Sequence, residues 1–216
     1  MGETIKMSET IKMGERGLVR CFVAVEIPGD IRERIERETA FLRRSRADVK
    51  WVPAENLHFT VKFLGGVPEE EIPGLVRILT EAVRQTKPFE IEIAGAGVFP
   101  GTRSPRVFWV GAREEGPESR FRGLAEVVED ALSRGGYPRE EKGFAPHLTL
   151  GRLREGARSK GAAAAEEARR LADGLATLKD VLFGKIKLEN ISLMRSELRP
   201  GGARYSRLAE IRLGGG

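Results

Sequence analysis

The chain has 216 residues, of which 40% are apolar and 32% charged, so it can bury a core and is not composed like a disordered segment. No apolar run approaches the roughly 18 residues that a membrane span needs, and the first residues lack both the apolar stretch of a secretory signal and the Ser or Thr that a myristoylation signal wants where Lys6 stands. A single cysteine, Cys21, leaves no internal disulfide and no cysteine-based zinc cage, and the net charge of +5 leans mildly towards polyanions; the expected location is the cytoplasm.

Residues 1–17 carry a tandem copy, Glu3-Thr4-Ile5-Lys6-Met7 followed by Glu9-Thr10-Ile11-Lys12-Met13, and read as a disordered appendage. Over 19–27, Cys21, Val23, Val25 and Ile27 alternate with Arg20, Phe22, Ala24 and Glu26, the period of a strand. Pro28-Gly29 ends it, and Asp30 is placed to cap the helix that Ile31, Ile35 and Leu42 trace. A second strand region covers 49–64, is interrupted at 53–55 and is stopped by Gly65-Gly66. A helix over 69–86 follows, then strands over 89–93 and 106–110, a helix over 119–134 and a strand over 146–153. An Ala-rich helix over 159–178, a strand or strand pair over 182–193 and a last strand over 203–213 complete the chain. Interleaved strands and helices mean α/β or α+β. The polar–apolar alternation selects α+β, with antiparallel sheets that keep one face open. From Lys185 to Arg212 there are seven basic and three acidic residues, a candidate phosphate platform or simply a solvated face.

The chain holds two histidines, and both sit in one phrase. The first is Asn56-Leu57-His58-Phe59-Thr60-Val61-Lys62-Phe63-Leu64-Gly65, the second Ala145-Pro146-His147-Leu148-Thr149-Leu150-Gly151-Arg152. Residues i and i+2 of a strand share a face. His58 and Thr60 therefore point one way, and His147 and Thr149 do the same in their own strand. A lone strand histidine is more often a packed or surface residue than a catalyst. Two in matching contexts, brought together about a pseudo-two-fold axis, give two imidazoles and two hydroxyls across one cleft. Near pH 7 such a pair supplies one acid and one base, which suits phosphoryl transfer at a diester without a metal or any other cofactor.

At these residues the sequence resembles the 2H phosphoesterase superfamily, and most closely its RNA 2',3'-cyclic phosphodiesterases, also called 2'-5' RNA ligases. The opening strand Arg20-Cys21-Phe22-Val23-Ala24-Val25-Glu26-Ile27-Pro28 and the run Trp51-Val52-Pro53-Ala54-Glu55 before Asn56 carry the likeness too. The resemblance implies that 18–216 form a single bilobal domain, two related halves whose antiparallel sheets line a central cleft. It implies His58 as proton donor and His147 as proton acceptor, with Thr60 and Thr149 on the non-bridging oxygens. It also implies RNA that ends in a 2',3'-cyclic phosphate as substrate, tRNA fragments included, with a 2'-phosphate as product; a monomer is the default expectation.

Further residues follow with less constraint. Phe22 is expected to stack on base or ribose, or else to be ordinary packing. Arg152 matches a phosphate-binding arginine, yet strict alternation sets it opposite His147 unless a bulge near Gly151 turns it. Lys62 shares the parity of His58 and Thr60 and so is expected to touch phosphate or solvent. Tyr205, with Arg204, lies in the basic last strand as an RNA contact, while Trp51 and Trp109 are expected to pack. Three other readings stay open: RNA ligation, hydrolysis of a small cyclic nucleotide, and RNA binding without turnover.

Overall fold

The computed structural model describes residues 17–114, 119–154, 156, 161–200 and 202–214; the tandem N-terminal copy lies outside them. Nine strands and four α-helices alternate along these residues. They are β1 (Leu18–Glu26), α1 (Gly29–Thr39), β2 (Val49–Trp51), β3 (His58–Pro68), α2 (Ile72–Val83), β4 (Phe89–Phe99) and β5 (Val107–Arg113), then α3 (Arg120–Arg134), β6 (His147–Leu153), α4 (Ala162–Ala176), β7 (Leu182–Leu188), β8 (Asn190–Arg199) and β9 (Gly202–Arg212). None of the described helices is long and apolar enough to cross a membrane.

Every strand pairs antiparallel with its neighbours, in the order β7-β4-β5-β6-β3-β1-β8-β9, with β2 added on β6. The fold is α+β, as the alternation implied. The order divides into two four-stranded halves, β6-β5-β4-β7 and β3-β1-β8-β9, which meet where the two histidine-bearing strands touch. That contact is one residue pair, Phe59 opposite Leu148. Beyond it the strands splay, and β2 enters the fork to pair Val49 with Leu153, Lys50 with Arg152 and Trp51 with Gly151. Gly151 is required there, because a Cβ would stand 2.7 Å from a Val49 methyl and 2.8 Å from the Trp51 ring.

One face of the curled sheet is apolar and covered by helices. Phe59, Val61, Phe108, Val110, Leu148 and Leu150 are buried with Ile35, Leu79, Phe121, Val128 and Leu175 in a core that runs unbroken beneath both halves. The Phe59 ring meets Phe121 of α3 edge-on at 5.4 Å. Helix α3 is capped by Ser119, whose hydroxyl accepts from the Arg122 amide at 3.2 Å. Asp30 does not cap α1: the helix starts two residues earlier than expected, with Pro28 at the cap position and no side-chain bond. Nor does Gly65-Gly66 stop β3; the strand runs on to Pro68, the glycines pairing with Cys21 and Arg20 of β1.

The opposite face is the cleft, and it is less open than period-two alternation implies. Cys21 to Val25 of β1 are buried on both sides of the strand. On the cleft side Phe22 and Ala24 form a second small apolar cluster with Met194 and, partly, Tyr205.

Candidate active site

Both imidazoles are held by the same device. His58 Nδ1 lies 2.7 Å from the Asn56 carbonyl, and His147 Nδ1 lies 2.8 Å from the Ala145 carbonyl, in each case two residues back. A carbonyl only accepts, so each ring carries its proton on Nδ1 and leaves Nε2 for chemistry. In His58 that nitrogen receives the Thr60 hydroxyl at 3.1 Å. Continuing the antiparallel register one step either side of Phe59 and Leu148 sets His58 across from Thr149 and Thr60 across from His147. The two rings sense each other, since charge on His147 lowers the pKa of His58.

Burial dominates the electrostatics. It pushes both imidazoles below their ordinary value. The Asn56 carbonyl and the Glu26 carboxylate pull His58 partly back, whereas His147 gains from the Ala145 carbonyl and is lowered further by Arg152. Glu26 stands directly across from His58 in the β1–β3 pairing and is itself fixed by the Ser192 hydroxyl at 2.6 Å and Arg207 at 2.8 Å. Burial raises the Tyr205 phenol, against the pull of Arg152.

A cavity of about 280 Å³ opens beside these groups, bounded by His58, Thr60, Thr149, Arg152, Tyr205 and Phe63. His147 is not in its wall; its ring lies edge-on to Phe99 at 5.2 Å. At the low end of small-ligand pockets, the cavity has room for about one nucleotide.

A matched pair of bulges decides which side chains enter it. In β3, Thr60 pairs with Ala24 and Lys62 with Val23, which leaves Val61 as the extra residue. In β6, Thr149 pairs with Trp109 and Gly151 with Phe108, which leaves Leu150 extra. Each bulge follows the threonine of its motif and reverses the parity downstream. Arg152 is thereby turned to the cleft, its guanidinium 3.5 Å from the Thr149 hydroxyl.

The same reversal removes Lys62, contrary to the parity argument. It is 2% exposed, faces the helices, and donates to both Glu129 oxygens at 2.8 and 2.9 Å and to the Pro138 carbonyl at 2.7 Å. It ties β3 to α3 and is not available to a ligand.

Phe63 takes the place Lys62 was expected to hold. It is 61% exposed, an unusual state for a Phe, and lies on the cavity wall with Arg20. Strict alternation from His58 and Thr60 would set it on the core face. Phe22 also lines the cavity but is only 3% exposed; it packs 4.8 Å from the His58 ring, and Tyr205 meets the same two rings at 5.1 and 5.2 Å. Phe22 thus backs the imidazole and shows the cavity little of its ring. Glu26 and Phe99 are the other residues beside the histidines that the sequence did not single out. Trp51 packs against Phe108 in the core, as expected, whereas Trp109 lies on the cleft side across from Thr149, stacked on Phe99 at 5.1 Å.

The basic run from Lys185 to Arg212 is not one platform. Strands β7 and β9 form opposite edges of the sheet, and most of the cations are matched: Lys185 with Glu92, Lys187 with Glu189, Arg195 with Glu69, Arg199 with Glu197 and Arg207 with Glu26.

Comparison with known proteins places this geometry among relatives. The family described as LigT like Phosphoesterase matches residues 25–109 and 114–205. A Methanothermobacter thermautotrophicus protein named RNA 2',3'-cyclic phosphodiesterase is 37% identical over 195 residues, covering 90% of this chain and 99% of its own. The crystal structure of a Thermus thermophilus protein superposes with a TM-score of 0.70 at 32% identity, over 91% of this chain and 98% of that one. Escherichia coli LigT complexed with 3'-AMP gives 0.69 at 26% identity, over the same shares, 91% and 98%.

Proposed function

The chain belongs to the LigT-like phosphoesterase family, and from that premise we propose that it hydrolyses RNA 2',3'-cyclic phosphate ends to 2'-phosphomonoesters. The observation that carries this reading is the matched pair of imidazoles, each with Nδ1 fixed by a carbonyl and Nε2 left for chemistry, on two strands that touch beside one nucleotide-sized cavity.

Phosphodiester hydrolysis needs a proton removed from water as it attacks phosphorus and a proton delivered to the oxygen that leaves. His147, neutral, takes the proton from water at Nε2. His58, protonated, gives its Nε2 proton to the departing 3'-oxygen. Protonation of His58 also releases the Thr60 hydroxyl, which in the neutral ring donates to Nε2. Thr60 and Thr149 then donate to the non-bridging oxygens as charge develops, and the Arg152 guanidinium beside Thr149 adds a fixed positive charge. Phe63 supplies the exposed aromatic face on which a base stacks. No step requires a metal or other cofactor.

Both histidines come from one chain, which supports a monomer as the working unit in the cytoplasm, with tRNA fragments among the RNA ends it takes. Digestion in EDTA of a short RNA ending in a 2',3'-cyclic phosphate tests the reading. Quantitative 2'-phosphate is expected. A 3'-phosphate product, or dependence on added divalent metal, would overturn the assignment of His58 and His147.

A further inference from the structure

We propose that Lys50, cross-strand from Arg152 in the fork, binds the backbone phosphate next to the reacting one and so favours polynucleotide ends over bare cyclic nucleosides. The proposal rests on the function above and extends it to a second phosphate subsite.

The antiparallel pairing of β2 with β6 sets Lys50 directly opposite Arg152. Directly opposed side chains on one face have Cβ atoms about 5 Å apart, and like charges in that relation destabilise a sheet. Just beyond the end of β2 the same register sets Asp48 opposite Arg154, an ion pair at 3.2 Å. Two neighbouring positions of one strand pair thus carry opposite solutions: one cation matched by a carboxylate, the next two cations facing each other. Lys50 is exposed and makes no ion pair with any described carboxylate, and Arg152 bonds only the Thr149 hydroxyl among the described residues. An anion between them resolves the repulsion.

Lys50 is also aimed correctly. Val49 is buried in the core and Trp51 packs on Phe108, so Lys50 and Val52 take the other face of the strand, and Val52 lines the cavity. Arg152 lines the cavity, and Lys50 lies across from it on the adjoining strand, next to the cavity residue Val52. A ribose 2',3'-cyclic phosphate at the end of RNA has its nearest other phosphate on the 5'-oxygen of the same nucleotide, which is the group assigned to Lys50.

The test compares adenosine 2',3'-cyclic phosphate with and without a 5'-phosphate, and a short RNA with a cyclic end, in the wild type, Lys50→Gln and Lys50→Arg. In the wild type the 5'-phosphate should raise kcat/KM by roughly three- to fivefold, and in Lys50→Gln that ratio should fall towards one. Lys50→Arg should restore the ratio. For the RNA, the slope of log(kcat/KM) against log salt should lessen by about 0.7 in Lys50→Gln. Because the substitution relieves a like-charge contact, the melting temperature should not fall. A 5'-phosphate gain that persists in Lys50→Gln, or one absent from the wild type, would overturn the Lys50 assignment. A wild type inactive on all three substrates would instead overturn the hydrolase reading.

Discussion

Phe63 and Arg152 occupy equivalent places, each five residues after the histidine of its strand and each turned into the cleft by a bulge that follows the threonine. The two halves thus present the same imidazole and hydroxyl but differ at this position, an aromatic ring in one and a guanidinium in the other. Under the proposed function that asymmetry gives an otherwise two-fold cleft a base end and a phosphate end.

Phe63→Ala should therefore raise KM for adenosine 2',3'-cyclic phosphate about tenfold and leave kcat within about twofold, since stacking on a base is worth roughly 1–3 kcal/mol. Phe63→Trp should recover the loss. Steady-state kinetics decide, and an unaltered KM in the Ala variant would count against the ring as a base platform.

Arg152→Ala should lower kcat/KM at least about tenfold, and Arg152→Lys should recover only part of it, because a lysine cannot reproduce the planar fork beside Thr149. Full recovery with Lys would mean that charge alone is needed there.

Burial is the largest influence on both imidazoles and holds both below the ordinary histidine value of 6.5. In the proposed mechanism the productive free enzyme has His58 protonated and His147 neutral. The acid limb of kcat/KM comes from protonating His147 and the basic limb from deprotonating His58, and lowering both pKa values moves the whole bell to the acid side. The profile for adenosine 2',3'-cyclic phosphate should peak below pH 6.5 and decline from pH 7 to 8. A flat profile, or a maximum above pH 7, would contradict the two-imidazole scheme.

Lys62→Ala should destabilise the fold by about 3 kcal/mol, the cost of breaking a buried pair, tempered because the Glu129 side chain keeps 19% exposure. Lys62→Met combined with Glu129→Leu should recover most of that loss. Urea denaturation measures both, and a Lys62→Ala variant of wild-type stability would show the ammonium is not a tie between β3 and α3.

Much of this architecture is written in residue alternation. The β1, β3 and β6 periodicities mark strands, and each His-x-Thr sets an imidazole and a hydroxyl on one face because nothing intervenes between i and i+2. Parity fails two residues later, since a bulge is a property of pairing between strands and leaves no mark in one strand's own pattern. The chain showed that Arg152 needs a bulge to reach the cleft. It did not show that the same event in the sister strand withdraws Lys62 and exposes Phe63. The basic run from Lys185 to Arg212 was likewise misleading, because the chain crosses from one sheet edge to the other between β7 and β8, and carboxylates both distant and local match its cations. Asp30 was an N-cap candidate by composition, but Pro28 already stands at the cap position.

The most direct test is turnover of adenosine 2',3'-cyclic phosphate by His58→Ala, His147→Ala and the double variant. Two groups serving one phosphorus act as a unit, so each single substitution should cost at least about 10²-fold and the double variant should be little worse than the poorer single. Near-normal turnover in either single variant, or a double loss equal to the product of the two, would contradict the account.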